Sequence, residues 1–166
     1  MVLLNKNEAF TQGHTATLLL NENDQGMMLS FYPDNYDEVK VPTVAGGEMR
    51  IAMLDSGQWN DLLYGSGDVT LVSSNGYIRT ENYTDNLYLT VSNADGRSGL
   101  GKMANLFANP GTFRTLSNNC DYQTAAIVRA AGKKYDQKTS PRDSFIYTSA
   151  YHTNRKLWLL MTFMPQ

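Results

Sequence analysis

One cysteine and two histidines hold this chain's thiol and imidazole chemistry. Cys120 stands in Ser117-Asn118-Asn119-Cys120-Asp121-Tyr122-Gln123, where a helix should begin. Ser117, Asn118 and Asn119 are good N-cap types, and Gly132 is the usual residue just past a helix end. Between them Cys120, Thr124, Ile127, Val128 and Ala131 recur at i, i+4, i+7, i+8 and i+11, the buried stripe of an amphipathic helix. A thiol in the first turn meets unpaired backbone N–H groups and the positive end of the helix dipole. Both favour the thiolate, which is the nucleophile. The competing reading is a core cysteine, since free cysteine is among the most buried residue types.

A cysteine nucleophile needs a base, usually an imidazole, and a third polar group to orient it. His14 follows a glycine and opens a strand, so its ring is expected to project from a sheet edge towards a helix N-terminus. His152 falls in a turn, where the bland reading is a solvated loop residue. Metal chemistry is not signalled, because one Cys and two distant His come without a carboxylate at ligand spacing. Gly65-Ser66-Gly67 lacks the Gly-x-Ser-x-Gly elbow of a serine hydrolase. Gly96, Gly99 and Gly101 do not form a phosphate-cradling loop. No cofactor is expected.

Strands and a few helices must position these groups. Gly13 to Leu20 and Met27 to Tyr32 flank the turn cluster Asn21 to Gly26 and read as a hairpin. If Leu20 lies near Met27, His14 lies across from about Tyr32 to Asp34. Val39 to Val41 reads as a short edge strand, stopped by Pro42. Glu48 to Leu54 reads as another strand. Asp55 and Ser56 are placed to cap a short helix carrying Trp59, Leu62 and Leu63. Val69 to Val72 and Tyr77 to Thr80 flank an Asn-Gly hairpin turn, and Leu87, Leu89 and Val91 alternate as a half-buried strand should. Ser98 precedes a second amphipathic helix with Leu100, Met103, Ala104 and Phe107 on its apolar face, weakened by Gly99 and Gly101 and ended by Pro110. Lys133 to Pro141 is a polar loop. Phe145 to Tyr151 and Leu157 to Phe163 read as a final pair of strands around His152-Thr153-Asn154-Arg155. The fold class expected is α+β with a mainly antiparallel sheet, in one domain over residues 1–166.

Hydrophobic residues make up 42% of the chain and the net charge is −2. That balance argues against nucleic acid as the main partner, since phosphate binding needs a concentrated basic surface. A single Cys cannot form an intramolecular disulfide, so folding suits a reducing cytosol. Met1 to Lys6 lacks the apolar core of a signal peptide, and the longest apolar run, Leu157 to Met161, is too short to span a membrane. No stable membrane insertion is expected.

Two segments taken together resemble a known family. Gly13-His14-Thr15-Ala16, with a following strand ending Ser30-Phe31-Tyr32-Pro33, and Asn118-Asn119-Cys120, opening a helix that ends Ala130-Ala131-Gly132, resemble circularly permuted papain-like enzymes. These are NlpC-type amidohydrolases in which the histidine strand precedes the cysteine helix. Similar pairs occur in bacterial type VI secretion effectors and Rhs-type toxins. The resemblance covers residues 13–33 and about 115–142. It implies a permuted papain-like fold with Cys120 as nucleophile and His14 as base. Its third polar residue lies on the strand after the histidine, where Ser30, Tyr32 and Asp34 share one face. Ser30 fits the motif position best and Asp34 would orient an imidazole more strongly; none is the family's usual His, Asn or Gln. The oxyanion hole would use the Cys120 N–H with an Asn118 or Asn119 side chain, unless those asparagines are only helix caps.

The function so implied is a cysteine amidase or peptidase acting through an acyl-enzyme. It would be made in the bacterial cytoplasm and delivered by a specialised secretion system. Its substrate would be peptidoglycan or a target-cell protein, and a cognate immunity protein would be its partner. Three rivals stand beside it: a thiol acyltransferase or lipid deacylase of the lecithin–retinol acyltransferase type, a non-catalytic binding module on the same fold, and a Cys120–His152 pairing.

Overall fold

The computed structural model describes residues 1–5, 13–23, 25–34, 44–58, 70–73, 76–79, 83 and 85–163. In chain order the strands are β1 (Val2–Asn5), β2 (His14–Leu20), β3 (Gly26–Pro33), β4 (Val44–Leu54), β5 (Thr70–Ser73), β6 (Gly76–Arg79), β7 (Asp85–Leu87) and β8 (Thr112–Arg114). The helices are α1 (Asn93–Ala108), α2 (Cys120–Ala130) and α3 (Pro141–Phe163). Six strands form an antiparallel sheet in the order β7-β1-β2-β3-β4-β8, and β5 pairs with β6 as a hairpin beside β4. The class is α+β, as the element pattern predicts. Val39 to Val41 and the helix positions from Trp59 lie outside the described residues. Residues 56–58 are helical, and Asp55 and Gln58 cap each other reciprocally.

Register sorts the side chains between two faces, because successive residues of a strand point opposite ways. Ala16 pairs with Ser30, and Ser30 with Arg50, so His14, Ala16, Leu18, Met28, Ser30, Tyr32, Arg50 and Ala52 share one face. Leu4 pairs with Thr15 and Leu29 with Ile51, which puts Val2, Leu4, Thr15, Thr17, Leu29, Phe31 and Met49 on the other. The helices cover this second face. Met103 and Leu106 of α1, with Cys120 and Ile127 of α2, pack on Leu29, Phe31 and Met49. Ala125 and Val128 of α2, with Phe145 of α3, pack on Val2, Leu4 and Leu87. The first face buries its own cluster of Ala16, Leu18, Met28, Ala52 and Leu54.

Two helices differ from expectation. α1 begins at Asn93, capped by Ser92, which accepts from the Asp95 N–H. It buries Gly99, Met103 and Leu106, while Leu100 and Phe107 stay exposed. Gly99 is where α1 meets α2: a Cβ there would lie 3.2 Å from that of Ala131. The glycine that weakens the helix locally thus permits a close approach to Ala131.

The final strand pair is instead one helix, α3, and His152 is a helical residue. Ser140 caps it by accepting from the Asp143 N–H, Pro141 stands at its start, and Pro141, Ser144, Phe145 and Thr148 are buried at helical spacing. The aromatic and β-branched residues that suggest strands are overridden by this burial.

Candidate functional site

The hydrogen bond between His14 and Ser30 follows directly from the hairpin. β2 starts at His14, and the Ala16–Ser30 register sets His14 across from Tyr32, with Ser30 diagonal to it on the same face. His14 Nε2 and Ser30 Oγ are 2.6 Å apart. The imidazole stacks on Tyr32, with ring centroids 4.7 Å apart and planes 17° apart. The Arg50 guanidinium also lies over the Tyr32 ring, at 4.7 Å, and is bridged to Glu48 at 2.9 Å. Tyr83 Oη stands 3.4 Å from Ser30 Oγ. His14 and Ser30 are both buried.

Cys120 is on the other side of the sheet. Its thiol lies in the apolar cluster of Leu29, Phe31, Met49, Met103, Leu106, Phe113 and Ile127, under the helix-covered face. The expected projection of His14 from a sheet edge towards the helix N-terminus is therefore corrected. β2 is an interior strand, and its period-two alternation turns His14 away from α2 and Thr15 towards it. The structure brings together His14, Ser30 and Tyr32, but not Cys120. Asp34, exposed at the end of β3, sits against Gly46, and its N–H donates to the Gly46 carbonyl.

α2 itself forms where its sequence predicts. Asn119 caps it, accepting from the Tyr122 N–H at 3.0 Å, and Gly132 follows its end with φ +68. Both candidate oxyanion asparagines are engaged in holding the chain. Asn119 Nδ2 donates to Thr115 O; Asn118 Nδ2 donates to Thr112 O and its Oδ1 accepts from Gln123. His152 ring nitrogen Nε2 is 2.9 Å from the Lys134 carbonyl oxygen, and its ring meets Tyr151 edge-on, which ties it to the loop before α3.

Beside Cys120 lies a polar group that motif reasoning missed. Asp121, at 1% exposure, accepts from Tyr135 Oη at 2.5 Å and from Ser144 Oγ at 2.7 Å. Burial lifts its carboxyl to about 6, against the pull of those two donors and of Arg129. Burial and the Asp121 charge push the Tyr135 phenol well above its ordinary range. The only sequence signal for this group is an acidic residue in a first helical turn, which ordinarily reads as dipole compensation.

No group of three or more His, Cys, Asp or Glu among the described residues is placed to hold a metal ion, and no described helix is long and apolar enough to cross a membrane. Compared with family models, curated proteins and solved structures, the chain has no significant match.

Proposed function

We propose that this chain hydrolyses an acyl bond with His14 as general base. The observation that carries the reading is the 2.6 Å approach of Nε2 to Ser30 Oγ on a ring fixed by stacking. A nucleophile and base within hydrogen-bond reach, with the base held by a third group, are the working parts of acyl transfer. Ser30 is then the nucleophile: its Oγ attacks the carbonyl carbon and its proton passes to His14. The imidazolium returns that proton to the leaving amine or alkoxide. Water, deprotonated by His14, then releases the acid and restores Ser30. Arg50, paired in register with Ser30 on the same face, supplies positive charge for the oxyanion.

A second reading keeps Cys120 as nucleophile in a permuted papain-like fold. Element order favours it, because the His14 strand precedes the Cys120 helix and α2 packs on β2. It requires the imidazole on the helix-covered face. Effector delivery, a peptidoglycan or target-protein substrate and an immunity protein rest on the family resemblance alone.

Active-site labelling separates these readings. With a fluorophosphonate, the expected result is an adduct on Ser30 formed at least about a hundredfold more slowly in His14→Gln. Iodoacetamide is expected to modify Cys120 slowly, at a rate indifferent to His14. Alkylation of Cys120 that depends on His14 would establish the cysteine reading instead. A folded protein labelled by neither reagent would be a binding module, with the His14–Ser30 pair as core.

A further inference from the structure

Residues 134–138 form a strap along α3. The Lys138 N–H donates to Ser144 Oγ at 2.7 Å and the Asp136 N–H to Thr148 Oγ1 at 2.8 Å, while the Lys134 carbonyl oxygen lies 2.9 Å from His152 Nε2. Ser144, Thr148 and His152 are successive i+4 positions of α3, so the strap runs antiparallel to the helix with two of its residues to each turn. Two extended residues span about 6.6 Å and four helical ones about 6 Å, which is why the pairing keeps step. Lys134 Nζ over the Tyr151 ring and Lys138 Nζ over the Tyr147 ring repeat the same step. Strap and helix are therefore one unit. Asp121 of α2 holds that unit at two points, accepting from Tyr135 Oη of the strap and meeting Ser144 Oγ of α3 at 2.7 Å.

Among the described residues Asp121 has no ion-pair partner; Arg129, the cation whose charge reaches it, gives its guanidinium to the Tyr135 carbonyl. A serine hydroxyl has one hydrogen and two lone pairs. With Asp121 ionised, Ser144 accepts from the Lys138 N–H and gives its hydrogen to Asp121 Oδ2. With Asp121 protonated on Oδ2, Ser144 accepts from both, and its own hydrogen goes to the Ser140 carbonyl, 3.1 Å away. The neutral acid makes one bond more and buries no charge. Tyr135, Arg129 and the adjoining Cys120 are the ionisable groups facing it; β2 presents the uncharged Thr15. The Asp136–Lys138 pair, Arg142 and Asp143 lie outward, and His152 stands two turns along α3.

We propose that Asp121 is a proton-operated latch: protonated, it fastens the strap and α3 to α2, and ionised, it lets them lift as a unit. The unit contributes no strand, so lifting it breaks no sheet ladder and uncovers Val2, Leu4, Ala125 and Val128 beneath Phe145. The latch stands on the helix-covered face and does not depend on the His14 site. The closed state binds the Asp121 proton more tightly than the open one, so closure is strongest in acid and weakens as pH rises through about 6.

The test is hydrogen exchange of the whole chain, read segment by segment by mass spectrometry at about pH 5 and about pH 7.5 and corrected for intrinsic exchange. In wild type, protection of amides 133–152 should fall about tenfold between the two values. The side-chain amide in Asp121→Asn donates to Ser144 Oγ and accepts from Tyr135 as the neutral acid does, so this variant should hold its protection within about twofold, any remainder being due to His152. Thr148→Val removes one strap bond and should lower protection at both pH values while keeping the tenfold difference. Amides of β2 and β3 should stay better protected than the unit throughout. No pH difference in wild type, an equal difference in Asp121→Asn, or exchange of unit and sheet at one common rate would each overturn the proposal.

Discussion

On the sheet face opposite α1, α2 and α3, an imidazole shares a short hydrogen bond with a serine and lies in a stack of Tyr32 and Arg50. On the helix-covered face, a carboxylate takes two hydroxyl donors, one from the loop after α2 and one from α3. Both clusters are buried, but their connections differ. The His14–Ser30 pair lies within one hairpin, β2 and β3. Asp121 joins three consecutive segments of the C-terminal half, so its bonds set how α3 docks. A polar group embedded in the assembly of elements is a fastener. One held inside a single supersecondary unit, with a base aimed at a hydroxyl, is a better candidate for chemistry.

The largest effect should come from Asp121→Ala, which leaves the buried Tyr135 hydroxyl without its carboxylate acceptor and Ser144 Oγ with only the Ser140 carbonyl. A loss of about 3 kcal/mol is expected by urea unfolding, since each orphaned buried donor costs ~1–3 kcal/mol. A loss under about 1 kcal/mol would remove the distinction between the two clusters.

The pH dependence should be nearly as large. The Asp121 carboxyl is raised from 3.8 to about 6 in the folded protein, so between those values the native state holds the proton and the unfolded chain does not. Its contribution to stability is whole below the unfolded value and is lost as pH rises through 6. Wild type should therefore gain about 2–3 kcal/mol relative to Asp121→Asn between pH 7 and 4, at 1.36 kcal/mol per unit. Paired urea titrations across that range check it, and parallel profiles would contradict it.

Ser30→Ala should have a smaller effect, about 1–2 kcal/mol, for one lost buried bond. The His14 imidazole 15N chemical shifts should change in Ser30→Ala and stay unchanged in Cys120→Ala. The reverse pattern would return the imidazole to the thiol.

Local signals were legible where they decide structure alone. Asn119, the Cys120–Ala131 stripe and Gly132 define α2, because caps and periodicity act within one element. The 145–151 run misleads, since its aromatic and β-branched residues fit a strand until Ser144, Phe145 and Thr148 find a buried side. Strands β1 and β8, of four and three residues, carry too little pattern to read. The site failed at a subtler point. Thr15 and Thr17 alternate with Ala16 and Leu18 as a half-exposed strand would, yet both faces of β2 are buried. Alternation shows that His14 and Thr15 point apart; it cannot show which of the two a helix will cover.

Because the side-chain period of a strand is two, a shift of one residue acts on every position of β2 at once. A hydroxyl environment and a thiol environment lie back to back across β2, separated by one residue of phase. Position 14 opens onto the serine, and position 15 faces the shell around Tyr135 and Cys120. A one-residue insertion or deletion that preserved the pairing of β1 and β3 would turn position 14 from the Ser30 face to the face that α2 covers, and position 15 the other way.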